Sequence, residues 1–110
     1  MAENKLADMS TEFAVKILNL TDGIKGHYSL ANQLERSGTS IGANINEANY
    51  GQSKADFVSK MHIALKETAE TEYWLKLLTM SEYITEDMGQ SLLKDCLEIK
   101  RMLIASINTA

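Results

Sequence analysis

Residues 54–80 read KADFVSKMHIALKETAETEYWLKLLTM, a run with neither proline nor glycine. Phe57, Met61, Ala64, Thr68, Leu75 and Leu78 recur at helical intervals, which predicts one helix from about Lys54 to Met80 with a single inward face. At ~1.5 Å per residue that helix exceeds about 30 Å in length. Ser53-Lys54-Ala55-Asp56 reads as a capping box at its start, with the serine accepting from the Asp56 amide and the carboxylate reaching back.

On either side the same periodicity returns. Leu6, Met9, Phe13, Ile17 and Leu20 predict a first helix over Lys5–Asp22, closed by Thr21-Asp22-Gly23-Ile24-Lys25-Gly26. Leu30, Leu34, Ile41, Ile45 and Ala48 predict a second, from an N-cap at Ser29 to about Asn49. After the break Ser81-Glu82-Tyr83-Ile84, Thr85 reads as an N-cap with Glu86 and Asp87 in the first turn, where carboxylates favour the helix dipole. A fourth helix follows to about Ile107, with Met88, Leu92, Cys96, Ile99 and Leu103 inward. Connections this short force consecutive helices antiparallel. The expected fold is all-α: an antiparallel up-down-up-down four-helix bundle forming a single domain over residues 1–110.

Composition agrees with that reading. The chain is 45% hydrophobic and 24% charged and has no proline anywhere, values that suit a globular helical protein. No segment approaches the roughly 18 apolar residues needed to span a bilayer. Met1-Ala2-Glu3-Asn4-Lys5 lacks the basic start and apolar stretch of a secretory signal, so a cytoplasmic location and no membrane contact are expected. The lone Cys96 cannot form an internal disulfide and reads as a small buried hydrophobe. Net charge is −4, and no quarter of the chain is basic. Phosphate binding needs concentrated Lys and Arg, and only pairs such as Lys100-Arg101 occur, which disfavours nucleic acid as a direct partner.

Several positions do not fit one core. Gly38 and Gly42 fall on one side of the second helix with Ala31, a strip suited to close approach by another helix inside the bundle. The far side of that helix presents Arg36, Ser40 and Glu47, flanked by Asn44; it is either a solvated face or a polar contact surface. Ile63, Trp74 and Leu77 point away from the main face of the third helix, as do Leu93, Leu97 and Ile104 on the fourth. A helix apolar on two sides needs two surfaces to pack against, which predicts self-association through these six residues. Glu72 falls in phase with Met61, Leu65 and Leu75; buried there it needs a polar partner, with Asn44 and Arg36 as the candidates.

Chemistry has few footholds. Di-metal bundles use Glu-x-x-His on paired helices, but Ser59 precedes His62 by three residues and Ile24 precedes His27. Nucleophile elbows, phosphate-binding glycine loops and His-Glu-x-x-His are absent from the sequence. No catalytic residue, metal ligand or cofactor is expected, and the chain does not read as an enzyme.

The central stretch carries a resemblance. Leu34-Glu35-Arg36-Ser37-Gly38-Thr39-Ser40-Ile41-Gly42-Ala43-Asn44-Ile45-Asn46-Glu47-Ala48, followed by Gln52-Ser53-Lys54-Ala55-Asp56-Phe57 and by Ile63 to Leu75, resembles the bacterial four-helix bundle proteins first noticed as reading frames in intervening sequences of 23S rRNA genes. Many relatives have Ala-Glu-Gly at 46–48 and Gly-Ser at 66–67, where this chain has Asn46-Glu47-Ala48 and Lys66-Glu67. The resemblance implies a homo-oligomer, specifically a pentameric ring. It extends to the accessory protein of diversity-generating retroelements, which binds a reverse transcriptase. That accessory protein is basic, whereas this chain has a pI near 5.1. The expected role is a non-catalytic scaffold or protein-binding module, with an RNA- or nucleoprotein-associated factor as the alternative.

Overall fold

A computed structural model describes residues 2–110, with side chains from Lys5 onward. Four helices account for almost all of it: α1 (Ala2–Asp22), α2 (Tyr28–Asn49), α3 (Lys54–Met80) and α4 (Glu86–Thr109). Each packs only on its neighbours in the cycle α1–α2–α3–α4, so α1 lies diagonally across from α3, and α2 from α4. The bundle measures 44 × 21 × 18 Å, about the length of its longest helix.

The helix ends show how local chemistry sets the boundaries. Ser53 caps α3 by accepting from the Asp56 amide at 3.1 Å, and Thr85 caps α4 by accepting from Met88 at 3.2 Å, each satisfying an otherwise orphaned donor. The start of α2 departs from expectation. Ser29 lies inside the first turn, and His27 is the N-cap without a side-chain capping bond. Gly26, at φ 103°, turns the chain one step earlier, and the His27 ring instead meets Tyr83 edge-on at 4.9 Å. The α1–α2 and α3–α4 connections are thereby joined at one end of the bundle.

The core comprises the predicted faces. Phe13, Ile17, Leu34, Ile41, Ile45, Met61, Leu75, Leu78, Ile99 and Leu103 are almost wholly buried. Met88 is the exception on α4, exposed near the helix start rather than inward. The glycine strip of α2 faces α1: a Cβ on Gly38 would sit 3.0 Å from Ile17, and one on Gly42 would sit 3.2 Å from the Ser10 hydroxyl. Buried hydroxyls complete the packing, with Thr71 and Ser37 hydrogen-bonded across α2 and α3 at 2.9 Å. Among the described residues no buried side-chain nitrogen or oxygen lacks a partner.

Candidate functional site: the two outer seams of α3

The helix α3 borders α2 on one side and α4 on the other, and the sequence-predicted site residues divide between these two seams. On the α2 side, the Arg36 guanidinium reaches Glu67 at 3.2 Å and also pairs with Glu70. The Trp74 indole N–H donates to the same Glu70 carboxylate at 3.0 Å. That bond, seconded by Arg36, holds the Glu70 carboxyl below its usual range, and Glu70 in turn raises the pKa of Arg36. Further along, Lys60 approaches Glu47 at 3.5 Å. Ser40 donates to the Arg36 carbonyl at 2.6 Å, and the Asn44 side-chain amide donates to the Ser40 carbonyl at 2.8 Å.

Arg36, Ser40, Asn44 and Glu47 therefore line the flank of α2 that faces α3, and their polar groups are engaged along it. Sequence phase placed them on the side away from Leu34 and Ile45; pairing with α3 is what the phase of one helix alone could not show.

On the α4 side, one carboxylate organises the seam. Glu72 accepts from Lys76 at 2.9 Å and from Lys100 at 3.4 Å, and Lys76, with Lys100 behind it, holds the Glu72 carboxyl below its usual range against the opposing effect of burial. This replaces the expected partners: Asn44 and Arg36 belong to the opposite seam. Beside the cluster runs a groove of about 380 Å³, lined by Glu72, Lys76, Met80, Leu93 and Leu97 among others.

The six residues expected to face outward fare differently. Ile63, Leu97 and Ile104 are 39%, 42% and 40% exposed. Trp74 and Leu77 are half-buried, the indole packing on the core edge. Leu93 is buried within the chain itself, because Gly89, one turn earlier, lets α4 close on Thr79 of α3 and draws Leu93 into the interface. Nor do the six form one surface. Trp74 joins the α2 seam through Glu70, while Leu93 and Leu97 line the α4 groove.

Exposed apolar side chains that sequence reasoning passed over include Tyr73 and Met80 on α3, Tyr28 and Tyr50 at the two ends of α2, and Val15 and Leu18 on α1. The last two lie three residues apart on the side opposite Ile17, a spacing visible in the sequence once the inward face is fixed.

Cys96 is buried, its thiol 3.4 Å from the Thr68 carbonyl, and burial pushes its pKa up to about 12. No helix among the described residues is long and apolar enough to cross a membrane.

The sequence profile of a family described as 23S rRNA-intervening sequence protein matches residues 2–105 of the chain. The structure is similar to a crystal structure from Bacteroides thetaiotaomicron VPI-5482, that of a protein with unknown function from the S23 ribosomal protein family. The TM-score is 0.93 and the identity 49%, and the alignment covers 98% of this chain and 99% of that one. No curated protein matches the chain.

Proposed function

This chain belongs to the 23S rRNA-intervening sequence protein family, and from that premise we propose that it is a non-catalytic, self-associating helical scaffold that presents its outer surfaces to a protein partner. The observation that carries the reading is the partial exposure of Leu97 and Ile104 on the outer face of α4, beside a groove that also displays Met80. Single exposed apolar residues are ordinary. Apolar residues one and two turns apart beside an apolar groove form a stripe, and stripes of that kind mark interaction sites.

The polar seams support a scaffold over a catalyst. Glu67, Glu70 and Glu72 are each held by a cation, in fixed pairs along the helix surface, and the two seams direct them apart. Direct RNA binding is the weaker reading. Five of the eleven Lys and Arg side chains, Lys16, Arg36, Lys60, Lys76 and Lys100, are occupied in ion pairs within the chain, which dilutes the charge that phosphate contacts require.

Light scattering on the eluting protein, across a hundredfold range of concentration, tests the reading. A mass that is a multiple of 12.2 kDa is expected, and the pair of substitutions Leu97→Glu and Ile104→Glu is expected to return a monomer of undiminished helicity. A wild-type monomer at the highest concentration overturns the proposal.

A further inference from the structure

At the end of the bundle where the α1–α2 and α3–α4 connections meet, a pocket of about 310 Å³ opens between them. Buried Ile24 and Ile84 form its floor, with half-buried Leu20 beside them. Tyr83 and Met88 wall it, and they are 37% and 46% exposed. No charged side chain lines it. Pockets that take small ligands or anchoring side chains begin at about 300 Å³ and are lined in this apolar way.

Negative charge gathers around the apolar recess. Asp22, Glu82, Glu86 and Asp87 each adjoin a lining residue in the chain, and all four are exposed. None has an ion-pair partner among the described residues; Glu86 accepts from the neutral Gln90 amide at 3.1 Å. Lys25 is the one lysine or arginine in residues 19–28 and 80–90, whereas the turn at the opposite end, residues 49–53, carries no charge. Two of these carboxylates stand where folding alone disfavours them. Asp22 ends α1 and Glu82 follows α3, at helix C-termini whose dipoles repel negative charge, and neither last turn has a basic residue. Glu82 also holds the left-handed backbone, at φ 66°, that suits glycine. Departures from local preference concentrate where a protein binds, and here they border an open apolar pocket.

We propose that this end of the bundle is a docking site for a basic segment of another protein. One apolar side chain of that segment sits between Tyr83 and Met88, and its flanking lysines or arginines meet Asp22, Glu82, Glu86 and Asp87. The recess supplies the anchor, as pockets at the centre of an interface do, and the exposed carboxylates set register and speed encounter. The inference rests on the partner-binding part of the function proposed above and not on self-association, because every residue of the site comes from one chain. A nucleic acid or an acidic peptide would meet four carboxylates and one ammonium and be repelled. A second copy of this chain, at net charge −4, has the wrong sign as well.

The probe is a short capped peptide with one phenylalanine flanked on both sides by lysines. Two control peptides replace the lysines by glutamates or the phenylalanine by alanine. Binding to the full chain is read at low ionic strength, by fluorescence anisotropy of the labelled peptide and by the methyl signals of isotope-labelled methionine. The probe is expected to bind and to shift Met88 while buried Met61 stays still, and both controls are expected to lose binding. Glu82→Gly should fold more stably yet bind about two- to fivefold more weakly, the range of one exposed charge pair. Met88→Gln should bind about fivefold more weakly, through lost apolar contact. Unaltered affinity in both variants, equal binding of the glutamate peptide, or a silent Met88 would overturn the docking site. Phenylethylamine binding as tightly as the peptide would put a small organic cation there instead, and a Met88 shift on concentrating the protein alone would put a second copy there; either overturns the assignment. Repeating the titration on Leu97→Glu with Ile104→Glu separates this site from self-association. Retained affinity supports a site complete in one chain, and affinity lost with the oligomer overturns it. No peptide binding, with light scattering still showing an oligomer, would overturn the docking site and leave self-association standing.

Discussion

Gly89 sits where α4 comes closest to α3. A Cβ there would fall 2.9 Å from Thr79 Cγ2 and 3.0 Å from Thr79 Cβ, with the Thr79 hydroxyl closer still. The Thr79 side chain cannot swing aside freely, because its hydroxyl donates to the Leu75 carbonyl at 2.6 Å. Alanine would gain about 1 kcal/mol of helix propensity, but overpacking costs about 1–3 kcal/mol, and here the obstruction is close to the backbone. Gly89→Ala is expected to destabilise the fold by about 1–2 kcal/mol in urea unfolding, and adding Thr79→Ala should recover most of the loss. Glu82 presents the opposite case. It ends α3 at φ 66°, the only non-glycine residue with positive φ among those described. The Tyr83 amide donates to the Leu78 carbonyl at 2.9 Å and the Glu82 amide to the Thr79 carbonyl at 3.1 Å, the paired bonds of a Schellman ending whose left-handed position favours glycine. Glu82→Gly is expected to stabilise by about 0.5–1 kcal/mol, read as a higher urea midpoint with unchanged slope. Neither site was legible beforehand. Sequence shows a glycine early in a helix and a break at 81–84, but not that one glycine is needed for helix approach while a glutamate occupies the position that suits glycine.

At the scale of elements, the periodicity of apolar residues was sufficient to place every helix, and the caps at Ser53 and Thr85 were legible because each is a hydroxyl followed by carboxylates within its first turn. The start of α2 was not, since Gly26 and the His27–Tyr83 contact depend on a loop distant in sequence. Pairing across seams was equally hidden. Glu72 belongs to α4 through Lys100 rather than to α2, and a single helix in phase cannot tell its left neighbour from its right. That pairing has a pH signature. Lys76 and Lys100 hold Glu72 below its ordinary value of 4.5 in the folded chain, so near and below pH 4.5 the unfolded state binds more protons and stability rises with pH. The contribution is present above that value and disappears as pH falls through the folded pKa. Urea midpoints of the native protein and of Glu72→Gln are therefore expected to differ at pH 6 and to converge toward pH 3. Parallel curves across that range would show that the carboxylate is not held as described. Glu70, held by Trp74 and Arg36, adds to the acid-side slope of both proteins and does not affect their difference.

For the molecule as a whole, the outward apolar residues were legible only as a class. Phase analysis finds that α3 and α4 are apolar on two sides, but it treats each helix alone, so it grouped Trp74 with Leu97 although α3 stands between their seams, and it counted Leu93 as outward although the close approach of α4 to α3 at Gly89 buries it. Exposure that remains after the bundle forms is the quantity that bears on association, and of the valines, leucines and isoleucines it leaves Ile63, Leu97 and Ile104 with Val15 and Leu18. Burying such side chains fully is worth about 1.5–3 kcal/mol each, and part of that remains available to a neighbour. If copies bind one another only when folded, assembly is linked to unfolding by mass action, and stability must rise with protein concentration. Each tenfold increase adds up to about 1.4 kcal/mol per chain, which in a domain of this size moves the thermal midpoint by several degrees, about 4–8 °C per kcal/mol. The native protein is thus expected to melt higher at high concentration, while Leu97→Glu with Ile104→Glu melts at one temperature throughout, both followed by circular dichroism at 222 nm. A midpoint of the native protein that stays fixed over a hundredfold range would mean that these side chains face water in the working state of the molecule.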